Sequence, residues 1–139
     1  MPKEPSINGY LAHLVAQANK RINRQLSDSG VPLEQWRILR TLHDSDGMTM
    51  RELADAVSLN RPTMTKVVDK LVAEAHVYRV PDINDRRKVR IFLSDQGKAL
   101  FNEHDERVND HQLSFESNYG VEEAAKLKTM LEQLIKQIS

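Results

Sequence analysis

Two stretches of the chain hold residues whose types and spacing suit contact with an anion. In "PDINDRRKVRIFLS", Pro81 to Ser94, Arg86, Arg87 and Lys88 stand side by side after Asp85. They come directly before a run in which Val89, Ile91 and Leu93 alternate with Arg90 and Phe92. Asp85 lies two residues before Arg87, a spacing that puts both on one side of an extended chain. A carboxylate–guanidinium pair can then hold Arg87 straight, leaving Arg86 and Lys88 for phosphates. In "NRPTMTKVVDK", Asn60 to Lys70, the residues Arg61, Thr63, Thr65, Lys66 and Lys70 fall on the polar side of a helical repeat, with Asp69 among them. Threonine hydroxyls suit phosphates and base edges, their methyls suit the thymine methyl, and lysine suits phosphate or guanine. Taken singly, each of these residues reads as a solvated surface position; the arrangement is what points to a polyanion.

These residues need elements to position them. Tyr10, Leu11, Leu14, Val15, Ala18, Ile22 and Leu26 form a helical stripe that predicts a first helix ending near Ser29-Gly30. Leu33 to Leu42, with Trp36, Ile38, Leu39 and Leu42, predicts a second, closed by "HDSDG". "TMRE", Thr49 to Glu52, is a capping box, in which the hydroxyl accepts the amide three residues on and the Glu carboxylate bonds back to the Thr amide. Leu53, Ala54 and Val57 are the buried side of a short third helix. After the turn "SLN", Asn60 caps a fourth whose Pro62 needs no amide partner and whose buried stripe is Met64, Val67, Val68, Leu71 and Val72.

Two short helices joined by a three-residue turn are a helix-turn-helix, and the polar residues crowd the N-terminal half of the second, the end a recognition helix turns to the major groove. "VYRV" and "VRIFL" are β-prone runs joined by a polar turn, which makes a hairpin wing whose tip reaches the minor groove. Ser94 caps a long helix with sparse apolar contacts at Leu100, Phe101, Val108, Leu113 and Phe115; "NYG" ends it, and Val121 to Ile138 carries a last stripe. The expected fold class is mainly α with a small β-hairpin wing. One domain over 1–139 then divides into a winged helix-turn-helix DNA-binding lobe, 33–93, and a helical dimerisation region, 7–29 with 95–138. The first and last helices are expected to pack together, with a two-fold partner burying their remaining apolar surface.

A chain of 139 residues fits one domain, and 40% hydrophobic with few Gly and Pro residues suits a helical globule over a disordered segment. The absence of cysteine excludes a disulfide framework, a thiolate zinc site, a cysteine nucleophile and a thiol switch. No run is apolar enough to span a bilayer, and "MPKEPSINGY" lacks the apolar core of a secretory signal, so a cytoplasmic protein without a membrane partner is expected. A formal charge of +0 hides an asymmetry. Arg51 to Ile91 holds nine basic residues against six acidic ones, whereas Asp95 to Glu123 holds two against eight, so only the middle of the chain can face an anion.

The segments "MTMRELADAVSLNRPTMTKVVDKLVAEAHVYR" at 48–79 and "DINDRRKVRIFLSDQG" at 82–97, with six helices and one wing in that order, resemble the MarR family of winged-helix transcription regulators. The resemblance implies a homodimer on palindromic double-stranded DNA, with Arg87 in the minor groove, Asp85 bracing it, and Thr63, Thr65 and Lys66 on the fourth helix. It also implies repression released by a small anionic, often aromatic, effector, and no cofactor. Family pockets lie where helices one, two and five meet, which brings forward His13, Trp36, Arg37 and Arg40. An arginine with an aromatic wall suits an aromatic acid or its thioester. The opposing reading makes Trp36 core and the two arginines solvent-facing.

There are two departures from the family pattern. Asn84 stands where many relatives carry another Arg, so the wing grips less strongly, and Ala75-His76 replaces a Gly, so helix four must be capped differently. Two other readings stay open. One is a metal-responsive regulator using His104, Asp105, Glu106 and His111, although 104 and 111 are two helical turns apart; the other is a winged helix used for protein contacts alone. For an enzyme the chain offers no Gly-rich phosphate loop, no His-Glu-x-x-His and no serine or thiol motif.

Overall fold

A computed structural model of the chain describes residues 7–139. In order it contains α1 (Ile7–Asp28), α2 (Leu33–Asp44), β1 (Met48–Thr49), α3 (Met50–Val57), α4 (Arg61–Ala73), β2 (Val77–Pro81), β3 (Val89–Leu93), α5 (Asp95–Tyr119) and α6 (Val121–Gln137). Local chemistry starts three of the helices. Thr49 Oγ1 accepts the Glu52 amide at 3.2 Å, Asn60 Oδ1 the Thr63 amide at 2.9 Å, and Ser94 Oγ the Gly97 amide at 3.0 Å. Each satisfies a donor that a helix start leaves orphaned. The return bond of the capping box differs from expectation: Glu52 Oε1 accepts from the Thr49 hydroxyl at 3.1 Å, while the Thr49 backbone belongs to β1 and lies opposite Arg90.

β1 is the element that the sequence pattern does not announce, because two residues cannot display an alternation. It extends the hairpin to an antiparallel sheet of order β1-β3-β2, with Met48 opposite Ile91 and Val77 opposite Leu93. The end of α4 also departs from the sequence expectation. Ala75 takes a left-handed φ of 62°, its amide donating to the Val72 carbonyl at 3.0 Å and the His76 amide to the Leu71 carbonyl at 2.9 Å. That is the usual left-handed helix stop, kept by an alanine and not replaced, at a strain of about 1–2 kcal/mol.

The lobe closes around Ile38, Leu39 and Leu42 of α2, Leu53 of α3, and Met64, Val68 and Leu71 of α4, all fully buried, with Ile91 of the sheet beneath and Phe101 of α5 as the lid. A smaller cluster of Leu26, Val31 and Leu33 joins α1, α2 and α5, and Trp36 packs against both. α1 rests on α2 and α5, and α6 rests on α5. The expected packing of the first helix against the last is thus not a principal contact within the chain, because α5 serves as the support for both. α6 has no buried residue, and Leu127, Met130 and Ile135 are exposed along it with Ile138 at its cap, as are Tyr10, Leu14 and Val15 along α1. Among the described residues no helix is long and apolar enough to cross a membrane.

Candidate nucleic-acid interface

The wing is organised by two carboxylates. Asp82, only 7% exposed, accepts the amides of Asn84 at 2.8 Å and Asp85 at 3.0 Å through Oδ1, and Arg90 Nε at 2.6 Å through Oδ2. Arg90 Nη1 in turn donates to the Gly47 carbonyl at 2.8 Å, fastening the base of the hairpin to the turn before β1. The Asn84 amide, then Arg90 and the Asp85 amide, hold the Asp82 carboxyl below the usual carboxylate range. Asp85 receives Arg87 Nε at 3.2 Å and the Arg87 amide at 3.1 Å on Oδ1, and Arg87 Nη2 at 3.5 Å on Oδ2. The Arg87 side chain and then its amide depress the Asp85 carboxyl in the same direction.

The expected Asp85–Arg87 pair is therefore present, but the chain around it is not extended. The Lys88 amide donates to the Asp85 carbonyl at 3.0 Å, so residues 85–88 form a turn, and the pair is made because the carboxylate caps that turn. Arg87 remains 91% exposed. With Arg51, Arg61 and Lys88 it lines a groove of ≈ 400 Å³ between the start of α3 and the wing, which also touches Thr49 and Glu52. Arg51 escapes the sequence reading; the signal that could have found it is its place in the first turn of the first helix of the helix-turn-helix.

Thr63, Lys66 and Lys70 line a second cleft, of ≈ 440 Å³, with Pro32, Glu34 and Gln35 of the α2 start. Thr65 and Arg86 are exposed and belong to neither cleft. Asp69 is tied to Arg79 of β2, which leaves the α4 face dominated by its cations. Among the described residues none of Arg51, Arg61, Lys66, Lys70, Arg86 or Lys88 forms an ion pair.

Trp36, Arg37 and Arg40 share a cleft of ≈ 360 Å³ with Thr41, Ala56 and Val57, so it lies between α2 and α3 and not at the expected meeting of the first, second and fifth helices. His13 does not line it; it is exposed on α1, its ring 6.5 Å from that of Tyr10. The Trp36 indole donates to Asp105 Oδ1 at 3.3 Å, and Arg40 lies 6.0 Å over the indole while facing Asp44 at 3.3 Å and Asp105 at 3.9 Å. Arg37 donates to Asn19 of α1 at 3.4 Å and forms no ion pair among the described residues. It is the cation of this cleft with charge to spare.

The histidines of α5 face different helices. His104 Nε2 meets Gln35 Oε1 at 3.0 Å and His111 Nε2 meets Gln25 Oε1 at 2.7 Å, while Asp105 is engaged by Trp36. Among the described residues no three His, Cys, Asp or Glu gather as a metal site. His104 is 5% exposed, burial pushes its imidazole pKa down, and its Nδ1 is buried without a hydrogen-bond partner among the described residues.

Similar proteins share this fold. The family model described as MarR family matches residues 31–89, the span from the turn before α2 to the first residue of β3. The homoprotocatechuate degradative operon repressor of Escherichia coli is 31% identical over 102 residues, covering 73% of this chain and 69% of that protein. A mutant E. coli MarR complexed with operator DNA has a TM-score of 0.75 at 27% identity, covering 94% of this chain and 99% of that one. NadR in complex with 4-hydroxyphenylacetate has a TM-score of 0.68 at 28% identity, covering 96% and 95%.

Proposed function

The chain belongs to the MarR family of transcription regulators, and from that premise we propose that it acts as a homodimer binding a palindromic double-stranded operator in a sequence-specific way. The observation that carries this reading is the braced, exposed Arg87 at the wing, sharing one groove with Arg51, Arg61 and Lys88. A guanidinium held in this way suits the negative potential of a narrow minor groove. Thr63 and Thr65 on α4 serve the base edges of the major groove, while Lys66 beside them, with Arg51, Lys70, Arg86 and Lys88, serves phosphates. The operator-bound E. coli MarR supports the same use of the fold. The lobe over 33–93 carries DNA contact, and 7–29 with 95–138 carries dimerisation.

The output we propose is repression, in line with the name of the E. coli relative. Release falls to a small aromatic carboxylate, the chemistry of the ligand held by NadR. In the α2–α3 cleft Arg37 is the group for the carboxylate and Trp36 the aromatic wall, since Arg40 is already neutralised by Asp44 and Asp105. The experiment is selection of duplexes from a randomised pool by the full chain, followed by fluorescence anisotropy across a salt series. Preferential, salt-sensitive binding of one dimer per site, weakened by 4-hydroxyphenylacetate, is expected. Equal affinity for selected and scrambled duplexes would sink the sequence-specific reading; release by no aromatic acid would sink the effector class alone.

A further inference from the structure

Asp82 fixes an apolar side chain as well as the arginine beside it. By accepting the amides of Asn84 and Asp85, its carboxylate makes Ile83 the central residue of a side-chain-closed turn. Ile83 is 97% exposed, whereas no other exposed large hydrophobic residue among those described exceeds 74%. Those others lie on α1, α5 and α6 and the cap that follows α6, or on β2, where Tyr78 stacks on Phe92 at 5.6 Å. A lone exposed apolar residue is ordinary on a protein surface. This one sits in the same short loop as Arg86 and Arg87, on a backbone tied down by a buried carboxylate.

We infer that Ile83, four residues before Arg87 in the same loop, is an apolar minor-groove contact that favours A·T over G·C pairs where the wing lands. The inference rests on the proposed reading of the wing as a DNA-binding element. In the minor groove A·T pairs present acceptors alone, and G·C adds the guanine N2 amino donor. A branched alkyl group packs against sugar edges and the floor of an A·T groove, but over guanine it strips water from an amino group and offers it no partner. Because the Asp82 turn already fixes the backbone, little freedom is lost when the side chain docks. Arg87 supplies attraction at this tip, and Ile83 supplies exclusion.

The test uses a duplex selected by the full chain, with the base pairs under the wing located by hydroxyl-radical footprinting. Those pairs are then made A·T, G·C or inosine·C, the last keeping the major-groove edge of G·C without the N2 amino group. Anisotropy is read for the native chain, Ile83→Ser and Arg87→Ala. The native chain is expected to bind the A·T and inosine·C duplexes alike and the G·C duplex about tenfold more weakly. Ile83→Ser is expected to lose about five- to tenfold on A·T and to level the three duplexes. Arg87→Ala should lose affinity on all three and keep their order. If Ile83→Ser keeps native affinity and order while Arg87→Ala weakens binding, this inference fails and the wing reading stands. If neither change matters, or no duplex is selected, the wing reading fails and takes the inference with it.

Discussion

A guanidinium that points into solvent is useful to a DNA-binding surface only if its position is already decided, and at residue scale that is the work of Asp85. Its two oxygens hold Arg87 through the side chain and the amide together. Arg87→Ala should therefore weaken operator binding by at least tenfold, whereas Asp85→Asn, which keeps the cation and loosens its brace, should cost a smaller factor; anisotropy on one duplex compares the two. A larger loss for Asp85→Asn than for Arg87→Ala would mean that Asp85 acts through the turn and not through the arginine alone. His104 gives a prediction of a different kind. Burial lowers its folded pKa from the ordinary 6.5, so the unfolded chain takes up the proton first as pH falls. Stability is thus undiminished above about pH 6.5 and is lost progressively below it, toward the lower folded value. The melting temperature should drop between pH 7.5 and 5.5, and His104→Leu should flatten that drop; an unchanged slope in the variant would place the titration elsewhere.

At element scale, the joint between α4, the sheet and α5 is held by unusual backbone. Ala75 occupies a left-handed position, so Ala75→Gly should stabilise the chain by about 1 kcal/mol, read as a higher urea midpoint. Gly97 shows the reverse: a Cβ there would stand 1.9 Å from the His76 carbonyl oxygen, so Gly97→Ala should cost about 2–3 kcal/mol in the same titration. These two residues also mark the limit of what sequence can disclose. Thr49, Asn60 and Ser94 were legible as caps because each bonds an amide three residues away. The Asp85–Arg87 pair was legible for the same reason, though its turn was not. β1 was too short for a pattern, and the Asp82–Arg90–Gly47 fastening spans 43 residues of chain, so no local rule announces it. Trp36, Arg37 and Arg40 came together in one cleft because a single helix carries them, whereas grouping His13 with them required a tertiary placement that one chain does not provide.

For the whole molecule, net neutrality hides a basic stretch from Arg51 to Ile91, nine basic residues against six acidic, followed by an acidic α5 and start of α6, and binding depends on the basic stretch. If Lys66 meets a phosphate, Lys66→Ala should lower the salt slope by about one per subunit on every duplex; relaxed base preference with an unchanged slope would make Lys66 a base contact instead. The apolar faces of α1 and α6 argue for the second copy. Met130 and Ile138 are 65% and 74% exposed, and α6 contributes no residue to either buried cluster, so charging it leaves the fold of each lobe intact. Met130→Glu with Ile138→Glu should convert the dimer to monomers in light scattering. No DNA contact is removed, yet operator affinity should fall by about a hundredfold or more, because the second half-site is no longer presented at a high local concentration. A dimer that survives both charges would put the two-fold interface on α1 and α5, and a monomer with native operator affinity would mean that one lobe alone recognises the site.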